Sequence, residues 1–128
     1  MIWQKEKEQV DLGALVYRSD NYREEYLYMD LSVYLWEMQS LFKFGVIRLS
    51  EGKYNITIFS EHDDFITSVT LDPIFSYHPN ISPSSFYQEL YYKFAKEIRK
   101  EEIYQKEEIL RIFARACNTL AKHTKMPG

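Results

Sequence analysis

The sequence contains few of the residues that cross-link or interrupt a chain: one cysteine, four glycines and four prolines among 128 residues. A single cysteine, Cys117, cannot form an internal disulfide, so a small disulfide-stapled secreted domain is excluded and a cytoplasmic location is predicted. Because glycine and proline are scarce, and because neither a repeat nor a low-complexity run is present, we predict a single domain over residues 1–128.

Long apolar runs and common catalytic motifs are also missing. No run of 18 apolar residues occurs, and the first residues, MIWQKEKEQVDLG, lack the apolar stretch of a signal peptide, so no membrane association is predicted. The sequence has no Gly-rich phosphate loop, G-x-S-x-G elbow or C-x-x-C pair. We therefore predict a non-enzymatic protein that requires no cofactor and no metal.

Aromatic residues are abundant, at 16% of the chain, and include eleven tyrosines. Such a density supplies the apolar area that a folded core needs, and it exceeds what one small core can hold, so some tyrosines are expected at the surface. Charge is unevenly spread, since residues 1–82 carry a net −6 and residues 83–128 a net +3. Either the two parts attract each other within the monomer, or the acidic part faces a basic partner.

Three short strands are predicted by alternating apolar and polar residues rich in β-branched and aromatic types. They are GVIRLS (45–50), KYNITIF (53–59) and FITSVTL (65–71), joined by polar turns into an antiparallel meander. Pro73 closes the meander because proline lacks a backbone donor.

Residues 26–43 fit both a helical and a strand pattern. We favour a helix from about 31 to 43, with Asp30 as its N-cap and Gly45 just past its end, because EMQSLFK lacks the turn residues that a strand would need there. The preceding YREEYLYM (22–29) is interpreted as a strand.

The C-terminal third is predicted to form two helices. Ser82 is a candidate N-cap with Pro83 at the first helical position, and Ser85 with Gln88 is an alternative capping box. The apolar spacing slips within RKEEIYQKEE (99–108), which indicates a break. The second helix has a wide apolar stripe, and the tail KHTKMPG is predicted to fray. The predicted class is α+β, with a small antiparallel meander packed against helices, two of them C-terminal.

The segment SEHDD combines Glu61, His62, Asp63 and Asp64. It suggests a metal site of a small metal-dependent hydrolase or nuclease, an acid/base pair, or a charged hairpin tip. We favour a solvated turn, because the loop lacks the glycine and the distal glutamate of a calcium loop, and other histidine or cysteine ligands are far away in sequence. His78 is interpreted as a structural loop residue, and Cys117 as a buried, inert one.

The leading hypothesis is a small protein-protein interaction module, such as a regulator, an inhibitor or an immunity-type protein. An acidic, aromatic-rich surface would bind a basic protein partner, since Tyr and Trp are common at interface hot spots and acids steer basic partners. These aromatic residues are equally compatible with the core and its rim. The predicted contacts are Tyr22, Glu24, Glu25, Tyr26, Tyr28, Trp36, Glu61, Asp63 and Asp64.

Nucleic-acid binding is the alternative hypothesis, because basic residues follow helical spacing in the C-terminal third. The low sequence pI of about 5.6 argues against it. A homodimer is compatible with each function. The residues of the basic stripes are Lys93, Lys96, Lys100, Arg111, Arg115 and Lys122.

Overall fold

A computed structural model of the protein describes residues 19–123, with side chains from residue 23 onward. It confirms the predicted α+β class, with a three-stranded antiparallel sheet and three helices, two of them C-terminal. The elements in chain order are α1 (Ser19–Met38), β1 (Phe42–Arg48), a 3₁₀ turn (Ser50–Gly52), β2 (Tyr54–Ser60), β3 (Phe65–Leu71), α2 (Pro83–Ile98) and α3 (Lys106–His123).

The sheet has the order β1-β2-β3, with both pairings antiparallel, as the meander prediction requires. Tyr54, Ile56 and Ile58 of the central strand are buried on one face. Asn55 and Thr57 lie on the opposite face, where the Asn55 amide donates to the Ser68 hydroxyl at 2.8 Å. The alternation read from the sequence therefore divides the sheet into an inner face covered by helices and an outer face rich in polar groups.

The boundary between α1 and β1 differs from the sequence prediction. YREEYLYM (22–29) is helical rather than a strand, and the helix ends at Met38 rather than near residue 43. Gln39 ends it by adopting a left-handed conformation, with φ of 49°, which usually favours glycine. The Ser40 hydroxyl donates to the Phe42 carbonyl at 3.0 Å, and β1 begins there, three residues earlier than predicted.

The C-terminal helices follow the prediction. The Ser82 hydroxyl caps α2 by accepting from the Ser85 amide at 3.1 Å, and Pro83 is the first helical residue. The predicted break separates Ile98 from Lys106. Residues 122 and 123 belong to α3, and the remainder of the tail that was predicted to fray, residues 124–128, lies outside the described residues.

Stacked aromatic rings join α1 to the inner face of the sheet and α2 to α3. Tyr28 of α1 stacks on Tyr54 of β2 with ring centroids 3.8 Å apart, and Phe94 of α2 stacks on Phe113 of α3 at the same distance. These rings belong to one hydrophobic core that all the described helices and strands share. No helix within residues 19–123 has the length and apolar character needed to cross a membrane.

Candidate functional site

Two of the acids predicted to face a partner lie inside the protein. Glu24 and Glu25 are only 2% and 3% exposed. Glu24 accepts hydrogen bonds from the backbone amides of Ile74 and Phe75 at 2.7 and 3.2 Å, and burial raises its pKa above the ordinary value of 4.5. Glu25 pairs with Arg48 of β1 at 3.0 Å. Both acids therefore serve the fold, and their assignment to a partner surface is wrong.

The predicted aromatic contacts separate in the same way. Tyr28 is fully buried against Tyr54, so it cannot contact a partner, whereas Tyr26 is 52% exposed and Trp36 is 71% exposed. The side chain of Tyr22 lies outside the described part of the chain. Trp36, near the C-terminal end of α1, is the most exposed aromatic residue of this helix among the described side chains.

The acids of SEHDD occupy the solvent-exposed tip between β2 and β3, as the solvated-turn interpretation predicted. The Ser60 hydroxyl shapes this tip by accepting from the amides of His62 and Asp64 at 3.2 and 3.1 Å. Asp63, held at a φ of 69°, pairs with Lys43 of β1 at 2.8 Å. Within residues 19–123, no three His, Cys, Asp or Glu side chains converge as a metal site would require.

An open groove of about 800 Å³ runs between α1 and β1. It is mainly apolar, and Trp36 contributes the largest exposed side chain of its helix wall. The groove extends around β1 onto the outer face of the sheet, where Thr57 and Phe59 of β2 line it. The apolar residues of its lining include Val33, Trp36, Phe44, Val46, Ile47 and Phe59.

β1 is an edge strand of the sheet formed within residues 19–123, and the hydrogen-bond pattern shows which of its backbone groups point outward. The Leu49 amide donates to the Lys53 carbonyl at 2.7 Å. Leu49 and Lys53 are therefore a hydrogen-bonded pair. Bonded and non-bonded pairs alternate along an antiparallel ladder, so Ile47 and Gly45, two and four residues before Leu49, also direct their backbone groups toward β2. Phe44, Val46 and Arg48 therefore direct theirs away from the sheet.

The outward-pointing backbone groups of β1 differ in whether they have a hydrogen-bond partner. Both backbone groups of Phe42 bond the Ser40 hydroxyl. Among residues 19–123, no hydrogen-bond partner is found for the outward amide and carbonyl groups of Phe44, Val46 and Arg48. Unpaired backbone groups favour pairing with another strand, so one wall of the groove is suited to receiving an extended chain.

Negative charge gathers at the end of the groove where β1 begins. Phe42 pairs in register with Ser60, which places the acidic tip beside this end. The tip carries Glu61, Asp63 and Asp64 against the single cation Lys43, and the negative end of the α1 dipole lies there too, without a basic residue in its last turn. This end of the groove should attract a cation.

The basic stripes of the C-terminal helices are partly neutralised by their own helices. Lys93 pairs with Glu89 at 4.0 Å and Lys100 with Glu97 at 3.2 Å. Arg111 pairs with Glu108. The other members of the stripes, Lys96, Arg115 and Lys122, are exposed. Pairing within each helix weakens the field that phosphate groups would meet.

His78 lies exposed in a loop, and Cys117 is buried. The backbone of His78 bonds the carbonyl of Ile74 and the amide of Ile81, at 2.9 and 3.1 Å, within the connection from β3 to α2. Cys117 is buried in the core, and burial raises the pKa of its thiol well above its usual range, so the reactive thiolate is disfavoured.

The sequence analysis missed most of the groove. Trp36 is the only one of its lining residues that was predicted to contact a partner. Phe59 carries a readable signal, since it is an aromatic residue on the polar side of the β2 alternation. Comparisons of the chain with family models, with curated proteins and with solved structures found no match.

Proposed function

We propose that the chain is a non-enzymatic, cytoplasmic protein-binding module that takes a basic segment of a partner protein in the groove between α1 and β1. The observation that carries the proposal is an apolar groove that displays Trp36, 71% exposed, and ends at an acidic tip. Large exposed aromatic side chains in a concave apolar site are typical of binding hot spots.

The charge at the groove end supports a basic partner. Three carboxylates stand against one lysine at the tip, and all four side chains are in contact with solvent. Exposed acids of this kind accelerate association with a positively charged partner and select against an acidic one. The hypothesis of a basic partner is thus retained, but its predicted surface loses the buried Glu24 and Glu25 and keeps the acids of the hairpin tip.

Selection from a displayed library of random peptides tests this function. We expect the full chain to enrich peptides that combine apolar residues with Lys or Arg, and Trp36→Ala to lose them by at least tenfold in affinity, since hot-spot truncation typically costs about 2 kcal/mol or more. Tyr104→Ala is the matched control, because Tyr104 is a more exposed aromatic residue that does not line the groove.

Two results would count against this function. One is a selection that enriches no peptide family above background. The other is a family that binds the wild type and Trp36→Ala equally well, which would place the binding surface outside the groove.

A further inference from the structure

We propose that the partner segment binds in an extended conformation and adds to β1 as a fourth strand of the sheet. This inference rests on the proposed function and specifies how the same groove is used. Strand addition is a common mode of peptide recognition in which backbone hydrogen bonds supply affinity and alternate side chains supply specificity.

The regularity of β1 makes it the edge suited to this role. β1 pairs with β2 over all seven residues without a register shift, whereas the pairing of β2 with β3 is interrupted at Ile58 and Phe59. Bulges, prolines and charged side chains can protect an edge. β1 contains no bulge and no proline, and its two charged side chains, Lys43 and Arg48, are paired with Asp63 and Glu25. Its outward groups at Phe44, Val46 and Arg48 define three successive positions of a ladder.

The walls of the groove specify the side chains of the added strand. Successive residues of a strand point to opposite faces, so one set would face the α1 wall, with Val33 and Trp36, and the other would lie along the outer face beside Ile47. The α1 wall favours apolar side chains. Polar β-branched residues suit the outer face, which carries Asn55 and Thr57.

The charge of the groove fixes the direction of the strand. Antiparallel pairing is the more stable arrangement, and it places the C-terminal end of the added strand beside Phe42, where β1 begins. That end lies at the acidic tip. The predicted occupant is therefore an extended partner segment that alternates apolar and polar residues and ends in Lys or Arg.

Selective N-methylation of a synthetic peptide tests strand addition without altering the protein. The probe is fluorescein-labelled VTVTVTKR, with VTVTVTEE as the charge control, and its affinity for the full chain is measured by fluorescence anisotropy. Two further versions carry N-methyl groups on alternate residues, one on the odd and one on the even positions of the repeat. In an added strand only one of these sets points its amides toward β1.

We expect one methylated version to bind within about threefold of the parent and the other to lose more than tenfold in affinity, because several backbone hydrogen bonds to β1 disappear together. The VTVTVTEE control should also bind at least tenfold more weakly. Methylated versions that are affected equally would overturn strand addition, while Trp36-dependent binding of the parent would leave the proposed function standing.

A second outcome concerns self-association. Sedimentation of the full chain is expected to give a monomer that remains monomeric with the peptide bound. A stable dimer that does not bind VTVTVTKR would assign the β1 edge to a second copy of this chain and overturn the proposal. If no library peptide and no VTVTVTKR binds, the proposed function itself fails.

Discussion

Two tyrosine hydroxyl groups in the core differ in their hydrogen bonding. The Tyr28 hydroxyl is buried and finds no hydrogen-bond partner among the described residues. The Tyr87 hydroxyl donates to the Leu27 carbonyl of α1 at 2.6 Å. Burying an unpaired hydroxyl costs free energy, whereas a satisfied one contributes about 1 kcal/mol. We expect Tyr28→Phe to leave the free energy of unfolding unchanged or to raise it by up to about 1 kcal/mol.

Tyr87→Phe is the matched control and is expected to lower the free energy of unfolding by about 1–2 kcal/mol. Both substitutions remove one oxygen from a fully buried ring, so the difference between them reports the hydrogen bond. Urea unfolding followed by fluorescence measures both. Equal losses in the two variants would show that the Tyr28 hydroxyl is satisfied in solution.

At the scale of single residues, the sequence was misleading where charged side chains are buried. Charged residues such as Glu24 and Glu25 usually lie at the surface. Nothing in their spacing indicates that two backbone amides and Arg48 pair with them in the interior. Those partners are distant in sequence, so only the folded chain reveals them. Tyr28 was predicted to lie at the surface because acidic residues surround it in the sequence.

At the scale of elements, the β1–β2 turn holds a glutamate in a backbone conformation that is unfavourable for its residue type. Glu51 and Gly52 both adopt positive φ, of 63° and 78°. Glycine accepts this conformation freely, whereas a glutamate pays about 1 kcal/mol and asparagine tolerates it better. We expect Glu51→Asn to raise the free energy of unfolding by about 0.5–1 kcal/mol. Glu51→Gln removes the same charge without easing the backbone, so a similar gain from it in urea unfolding would contradict this explanation.

Periodicity predicted the elements whose two faces differ clearly. β2 and β3 show regular alternation, and α2 has a capping serine followed by proline, so their positions were predicted within a few residues. The end of α1 was not, because the chain turns there through Gln39 and Ser40 rather than through glycine or proline. Such a turn relies on tertiary packing, which local sequence does not report.

At the scale of the whole molecule, the groove depends on three segments that are separate in sequence. The α1 wall, the β1 edge and the acidic hairpin tip meet because β1 follows α1 closely and pairs with β2. The sequence suggested the acidic tip and the exposure of Trp36 separately. Their position at one groove follows from the register of Phe42 with Ser60, and the register was not predictable from strand patterns alone.

Glu24 connects α1 to the segment after β3 and should make the stability of the whole protein depend on pH. Burial, the largest influence, raises its pKa above 4.5, although the amides of Ile74 and Phe75 and the charge of Arg48 lower it. The folded protein thus holds this proton more tightly than the unfolded chain. The stability contributed by the proton is complete below about pH 4.5 and is lost as the pH rises through the raised pKa.

We expect Glu24→Gln to remove this pH dependence. The variant should unfold about 1–2 kcal/mol more easily than the wild type at pH 4, because an amide offers one acceptor where the carboxyl oxygens receive two donors. The deficit should then shrink as the pH rises to 7, since only the wild type loses stability at this site. Urea unfolding at intervals of half a pH unit measures the difference, with Glu37→Gln, an exposed acid of the same helix, as the control. A deficit that is constant or grows with pH would mean that Glu24 is charged throughout and that the two amides and Arg48 outweigh its burial.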